Sequence, residues 1–318
     1  MPFATDKWVQ ESEPETAPTW NPEESKAELA RQREAIKRRL WGEGEAELGN
    51  KLAACGLPMP LTCTHCGGTK TVETACKKRY CPSCAWRIQA RRLARYEGAI
   101  GLMRWPLHLV LTQENSPDPE SLRALRQSWS KMRRRKLIAQ RIAGGVAALE
   151  VTNRGKGWHC HLHAVVDCEW LSLHTPAPQP GESAVVVRQK CDYAREELSH
   201  VWAHVLKQET AVVLAKRAKP GVAADYALKY AIKGSDLVNS PEPIGPLIRV
   251  FEKTRLVSAF GSLYGRTSEM DGSESPACVC QNCGAEKCML PESVISSLTR
   301  RDPFARPTVS FTQNFKPA

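Results

Sequence analysis

The run Trp158-His159-Cys160-His161-Leu162-His163 narrows the possible folds more than any other stretch of this chain. Histidines at alternate positions of an extended strand share one face, about 7 Å apart, and can converge on a common point. Just upstream, Gly145 to Asn153 is a second β-rich run, and Arg154-Gly155-Lys156-Gly157 is a short glycine-containing loop of the kind that reverses a chain. If that loop closes a hairpin symmetrically, Asn153 pairs with Trp158 and Glu150 lies directly across from His161. One face then presents a carboxylate beside imidazoles. Two imidazoles plus an oxygen ligand, with positions left open, suit Mn²⁺ or Mg²⁺ acting on a phosphate better than a closed structural zinc site. His161 and His163 are the leading ligand candidates, with Glu150 as the third and His159 as its competitor.

Thirteen cysteines is an odd number, and most of them cluster at metal-ligand spacing. Cys63-x2-Cys66 and Cys81-x2-Cys84 form two paired-thiolate knuckles, an arrangement expected to clasp one tetrahedral Zn²⁺, with Cys76 able to displace one of the four. Cys278, Cys280, Cys283 and Cys288 form a second cluster for a possible second zinc. Thiolates held on zinc point to a reducing, cytoplasmic setting. The first residues carry no basic and apolar signal-like segment, and no apolar run is long enough to span a membrane.

The formal charge is +11, which points to a polyanionic partner. From Lys77 to Arg141 there are 16 Lys and Arg against 4 Asp and Glu, a bias that favours nucleic acid over an ordinary solvated helix face. Within it, Arg87, Arg91 and Arg95 share one face of a predicted helix from Ala85 to Trp105. Arg133, Arg134, Arg135 and Lys136 lie near the end of a second basic helix, predicted over Pro119 to Arg141. Other expected elements are a helix from about Pro22 to Leu40, strands at Pro106 to Thr112, Ala211 to Lys216 and Leu256 to Phe260, and a loop from His174 to Ser183. Helices are expected at Ala194 to Glu209 and Val222 to Lys233.

The last of these helices carries Tyr226 and Tyr230 one turn apart, with Lys229 and Lys233 adjoining them at the same spacing. Amphipathic helices often bury tyrosine. The lysine pair changes the balance, because a phenol with a reference pKa of about 10 is a poor nucleophile unless a nearby cation assists it.

These motifs have a family counterpart. GWHCHLHAVVD resembles the histidine motif of plasmid rolling-circle replication initiators of the HUH endonuclease superfamily, and DYALKYAIKGSDL resembles their tyrosine motif. HLVLT is similar to their first strand motif, CKKRYCPSCAWR to their cysteine-rich signature, and KTRLVSAFGSLYG to a later segment. The resemblance implies an α+β fold, an HUH endonuclease-like antiparallel sheet with packed helices, preceded by a small cysteine-rich zinc-binding region. It implies metal at His161 and His163 and Tyr230 as the nucleophile that nicks one DNA strand, leaving a 5′-phosphotyrosine and initiating rolling-circle plasmid replication. The partners implied are plasmid origin DNA, duplex and single-stranded, together with a host helicase and polymerase in a bacterial cytoplasm. Two departures stand out: Tyr226 occupies a place where many initiators carry glutamate, and Cys160 replaces the usual proline. Tyr226 would then terminate the round by a second attack. Competing readings are a two-tyrosine HUH transposase, a conjugative relaxase, and a non-catalytic zinc-containing DNA-binding regulator. The expected organisation is a polar tail over 1–20, a helical segment over 21–54, a zinc region with basic helix over 55–104, the nicking domain over 105–267, and a cysteine cluster with tail over 268–318.

Overall fold

The computed structural model describes residues 22–172, 174–218, 234–265, 280, 282–285 and 289–291. The predicted helix at Val222 to Lys233, with Tyr226, Lys229, Tyr230 and Lys233, lies outside the described residues, as do the 1–20 tail, Cys278 and Cys288. The chain forms two compact units, residues 1–53 with 77–268, and residues 54–76 with 269–318. This division differs from the sequence-based one: the basic helix belongs to the larger unit, whereas the chain around Cys63 and Cys66 belongs with the C-terminal segment.

In the larger unit, α1 (Pro22–Gly42) and α2 (Ala46–Ala53) lead the chain, and α3 (Pro82–Gly101) is the basic helix. A five-stranded, fully antiparallel sheet follows, built from β3 (Pro106–Thr112), β4 (Gly144–Asn153), β5 (Trp158–Asp167), β6 (Val213–Arg217) and β7 (Val257–Gly261) in the order β6-β3-β5-β4-β7. The histidine strand β5 is thus central. Burial along β4 and β5 is nearly continuous, as expected of strands covered on both faces. Gly145 is needed there because a Cβ would lie 2.4 Å from the Val165 carbonyl oxygen.

The predicted second basic helix is two helices, α4 (Ser121–Arg133) and α5 (Lys136–Arg141), broken at Arg134 and Arg135. Helix α4 lays Leu122, Leu125, Trp129 and Met132 inward, the i, i+3, i+4 pattern of a core-facing stripe. Trp129 meets Phe260 of β7 edge to face, with centroids 5.7 Å apart. The helix expected to begin at Ala194 starts earlier: α6 spans Ala184–Leu206, and Ser183 at the end of the predicted loop accepts the Val186 N–H. Near its other end, buried Trp202 donates its indole N–H to the Thr112 carbonyl at 2.6 Å, pinning α6 to the end of β3. Two further helices, α7 (Gly234–Asn239) and α8 (Ile244–Lys253), complete the described part of this unit. On the other sheet face, Tyr96, Ile100 and Met103 pack with Val146 and Val165, so α3 covers the side opposite α4.

The smaller unit is a three-stranded antiparallel sheet in the order β2-β1-β8, formed by β1 (Pro58–Cys63), β2 (Thr69–Glu73) and β8 (Met289–Pro291). Among the described residues its core gathers Leu61, Cys63 and Cys280, with Met59, Val72 and Ala285 alongside.

Candidate metal centres

The hairpin of β4 and β5 closes in the register that a symmetric loop predicts: Asn153 pairs with Trp158, Glu150 with His161 and Ala148 with His163. Glu150, His161 and His163 therefore share a face, and one ligand atom from each lies within 4.8 Å of the others. Glu150 Oε2 is 2.7 Å from His163 Nε2 and 3.1 Å from His161 Nε2. All three side chains are largely buried. The His163 contact is close but not aligned as a hydrogen bond, so among the described residues His163 Nε2 has no hydrogen-bond partner; nor has the buried His161 Nδ1. An orphaned buried nitrogen beside a carboxylate, as at His163 Nε2, fits a cation better than a closed protein network does. Burial pushes the Glu150 carboxyl up, but the two imidazoles beside it outweigh burial and hold it well below the carboxylate range.

The other nitrogen of His163 is also accounted for. His163 Nδ1 lies 3.2 Å from Nε2 of buried His108 on β3, and the two rings stack with centroids 5.4 Å apart. A cation bound at Nε2 of His163 would leave its proton on Nδ1, which would then donate to His108 Nε2. Such a partner fixes the ring and tautomer of a ligating histidine. Sequence reasoning passed over His108. The available signal was its place in PLHLVLT, on a strand that pairs with β5 so that Val110 meets His163. His159, the competitor for third ligand, has its ring 5.1 Å from that of His161 but is not among the three residues whose ligand atoms converge, and its Nδ1 is 2.7 Å from Asn115 Oδ1.

In the smaller unit, the thiols of Cys63, Cys66, Cys280 and Cys283 lie within 4.8 Å of one another. This corrects the expected pairing of Cys63 and Cys66 with Cys81 and Cys84, which lie in the larger unit at the start of α3. The physical reason is local shape. Cys63-Thr64-His65-Cys66-Gly67 and Cys280-Gln281-Asn282-Cys283-Gly284 are the same knuckle twice. In each, the glycine has positive φ and donates to the first cysteine's carbonyl, Gly67 at 2.9 Å and Gly284 at 2.8 Å. The first cysteine's N–H closes the turn in both, Cys63 onto Gly68 at 2.8 Å and Cys280 onto Ala285 at 2.9 Å. Strand β8 pairs with β1 and carries the second knuckle to the first, whereas Cys81-Pro82-Ser83-Cys84 is followed by alanine and runs into a helix. The glycine after the second cysteine was the sequence signal that distinguished the matched pair.

Without a cation the thiols ionise unequally: the backbone N–H groups of Cys283 and Asn282 hold Cys280 below the usual thiol range. The Gly68 N–H pulls Cys66 down, but the thiols of Cys283 and Cys280 push it up to about 12. Facing pairs are 3.8 Å apart for Cys63 and Cys283 and 3.6 Å for Cys66 and Cys280. Four sulfurs within 4.8 Å of one another are a donor set suited to zinc, which takes four thiolates tetrahedrally. Cys76 also lies in this unit, with its sulfur within 4.8 Å of that of Cys55, a residue the sequence analysis did not single out.

Arg87, Arg91 and Arg95 are exposed on α3, and Arg135 and Lys136 at the break between α4 and α5. Arg133 is spent differently, lying 4.2 Å over the Phe260 ring, and Arg134 donates to the Ser130 carbonyl. No helix among the described residues is long and apolar enough to cross a membrane.

The segment that carries Glu150, His161, His163 and His108 lies within residues 70–171. These residues match the Replication protein family. A protein described as "Protein rep" from Lactiplantibacillus plantarum is 32% identical over 103 residues, covering 29% of this chain and 32% of that protein. The match thus spans about a third of the relative's length. No solved structure matches the chain. Both matches support the resemblance to plasmid replication initiators drawn from the motifs.

Proposed function

We propose that this chain is a metal-dependent HUH-class endonuclease that nicks one strand at a plasmid origin and initiates and terminates rolling-circle replication. The observation that carries this reading is the convergence of Glu150, His161 and His163 on the central strands, with orphaned nitrogens and a second histidine behind His163. Mn²⁺ or Mg²⁺ bound there would supply Lewis-acid polarisation of the scissile phosphate. Glu150 stays ionised and holds one side of the centre, while His108 keeps His163 in a single tautomer. Tyr230, assisted by Lys229 and Lys233, attacks the phosphorus to form a 5′-phosphotyrosine and release a 3′-OH, and Tyr226 repeats the exchange at the end of the round. These four residues, outside the described structure, enter through their helical spacing in the sequence and the motif resemblance. The exposed Arg87, Arg91, Arg95, Arg135 and Lys136 serve origin DNA, with host helicase and polymerase extending from the nick. In the smaller unit Cys63, Cys66, Cys280 and Cys283 hold a structural zinc.

The test is direct. Incubation with a single-stranded origin oligonucleotide and Mn²⁺ is expected to give a covalent adduct on a denaturing gel, lost in His163→Ala and in Tyr230→Phe. DNA binding without any adduct in the unsubstituted protein would leave a zinc-containing regulator instead.

A further inference from the structure

Four arginines gather where α3 meets the β7 edge of the sheet. Arg79, Arg92, Arg95 and Arg255 line one pocket together with Tyr96, and among the described residues no carboxylate lines it. Arg79 is anchored by its own hydrogen bonds, donating through Nη1 to the carbonyls of Thr254 at 2.8 Å and Phe251 at 3.3 Å at the end of α8. Arg95 lies over the buried ring of Tyr96, 5.9 Å from its centroid. Burial first, and the charge of Arg79 after it, lower Arg92 to about 10. Like charges held this close cost energy that a bound anion would offset, and planar guanidinium groups match phosphate oxygens in pairs.

The pocket's position says which anion. Val257 pairs with Ala148, and Ala148 with His163, so Val257 lies on the face that carries Glu150, His161 and His163. The Leu149 N–H bonds the Leu256 carbonyl at 2.8 Å, and Arg255, just before β7, donates to the Val257 carbonyl at 3.3 Å, which keeps it at this edge of the sheet. We propose that Arg79, Arg92, Arg95 and Arg255 form a site for a backbone phosphate of single-stranded DNA, one strand over from the Glu150 centre. The site rests on the DNA-nicking reading for its ligand. It would hold the substrate on the sheet face that carries the bond to be cut.

The experiment measures binding of a fluorescent single-stranded oligonucleotide of mixed sequence to the full chain, in chelator, over a series of salt concentrations. Arg255→Gln, at an exposed position, and Arg92→Gln should each weaken binding roughly tenfold. Each should also flatten the plot of log affinity against log salt by about 0.7, the slope of one phosphate contact to a single strand. Arg188→Gln on α6 serves as the control and should bind as the unsubstituted protein does. Arg92→Lys, which keeps the charge, should recover the slope and only part of the affinity. Unchanged affinity and slope in Arg255→Gln and in folded Arg92→Gln overturn the site. Because no metal is present, loss of nicking would leave this result untouched, whereas an unsubstituted protein that binds no single strand would overturn the site and the DNA reading together.

Discussion

His163 is held by His108, which meets its Nδ1 at 3.2 Å and stacks on its ring, so the ring is oriented before any ligand arrives. His108 is thus a positioning residue, and its removal should leave the donor set intact but loosely aimed. His108→Leu is expected to weaken Mn²⁺ binding, followed by calorimetry, roughly 10- to 100-fold, with single-strand affinity in chelator unchanged. Glu150 supplies a pH signature. Its folded carboxyl titrates below the unfolded value of about 4.3, so its contribution to stability is complete above that pH and is lost as pH falls through the folded value. In chelator, the gap in melting temperature between the unsubstituted protein and Glu150→Gln should therefore hold steady from neutral pH down to about 5 and close on further acidification. A gap that widens in acid would mean the carboxyl is not held low.

Elements that carry strong local patterns were legible in advance. The hairpin and its register followed from alternation and a glycine loop, and PLHLVLT was bounded correctly as β3. Boundaries set by distant partners were not. The α4–α5 break lies inside a uniformly basic run with no proline or glycine to mark it, and α6 begins at a serine cap hidden by the valines that follow. His108 escaped notice because its meaning depends on which strand lies beside it, and the Cys63 knuckle was matched to the nearer partner in sequence rather than to the one with the same shape. Among the helices, α6 is tied to the sheet by Trp202. Trp202→Phe removes the donor to the Thr112 carbonyl and should cost about 1–3 kcal/mol in denaturant unfolding, with the fold retained. A smaller change would mean that water replaces the indole there.

Across the whole molecule, the two units should differ in what sustains them. The larger one has a five-stranded sheet with helices on both faces, while the described residues of the smaller one form three short strands and the four-thiol cluster. A chelator that strips zinc, or Cys280→Ser, should expose residues 54–76 to limited proteolysis while the sheet of the larger unit stays resistant. Elemental analysis should find that zinc lost in Cys280→Ser, and equal resistance of both segments without zinc would argue that the small core suffices alone. Synthesis adds a further constraint. Cys63 and Cys283 are 220 residues apart, so at ordinary elongation rates the first knuckle leaves the ribosome roughly 10–40 s before its mate exists. Through that interval Cys63 and Cys66 can offer a metal only half a coordination sphere. The nascent chain is open to oxidation and to the wrong metal for most of its translation, and a premature stop between β7 and Cys280 yields a protein with every strand of the larger unit's sheet but two reactive thiols with nothing to close them.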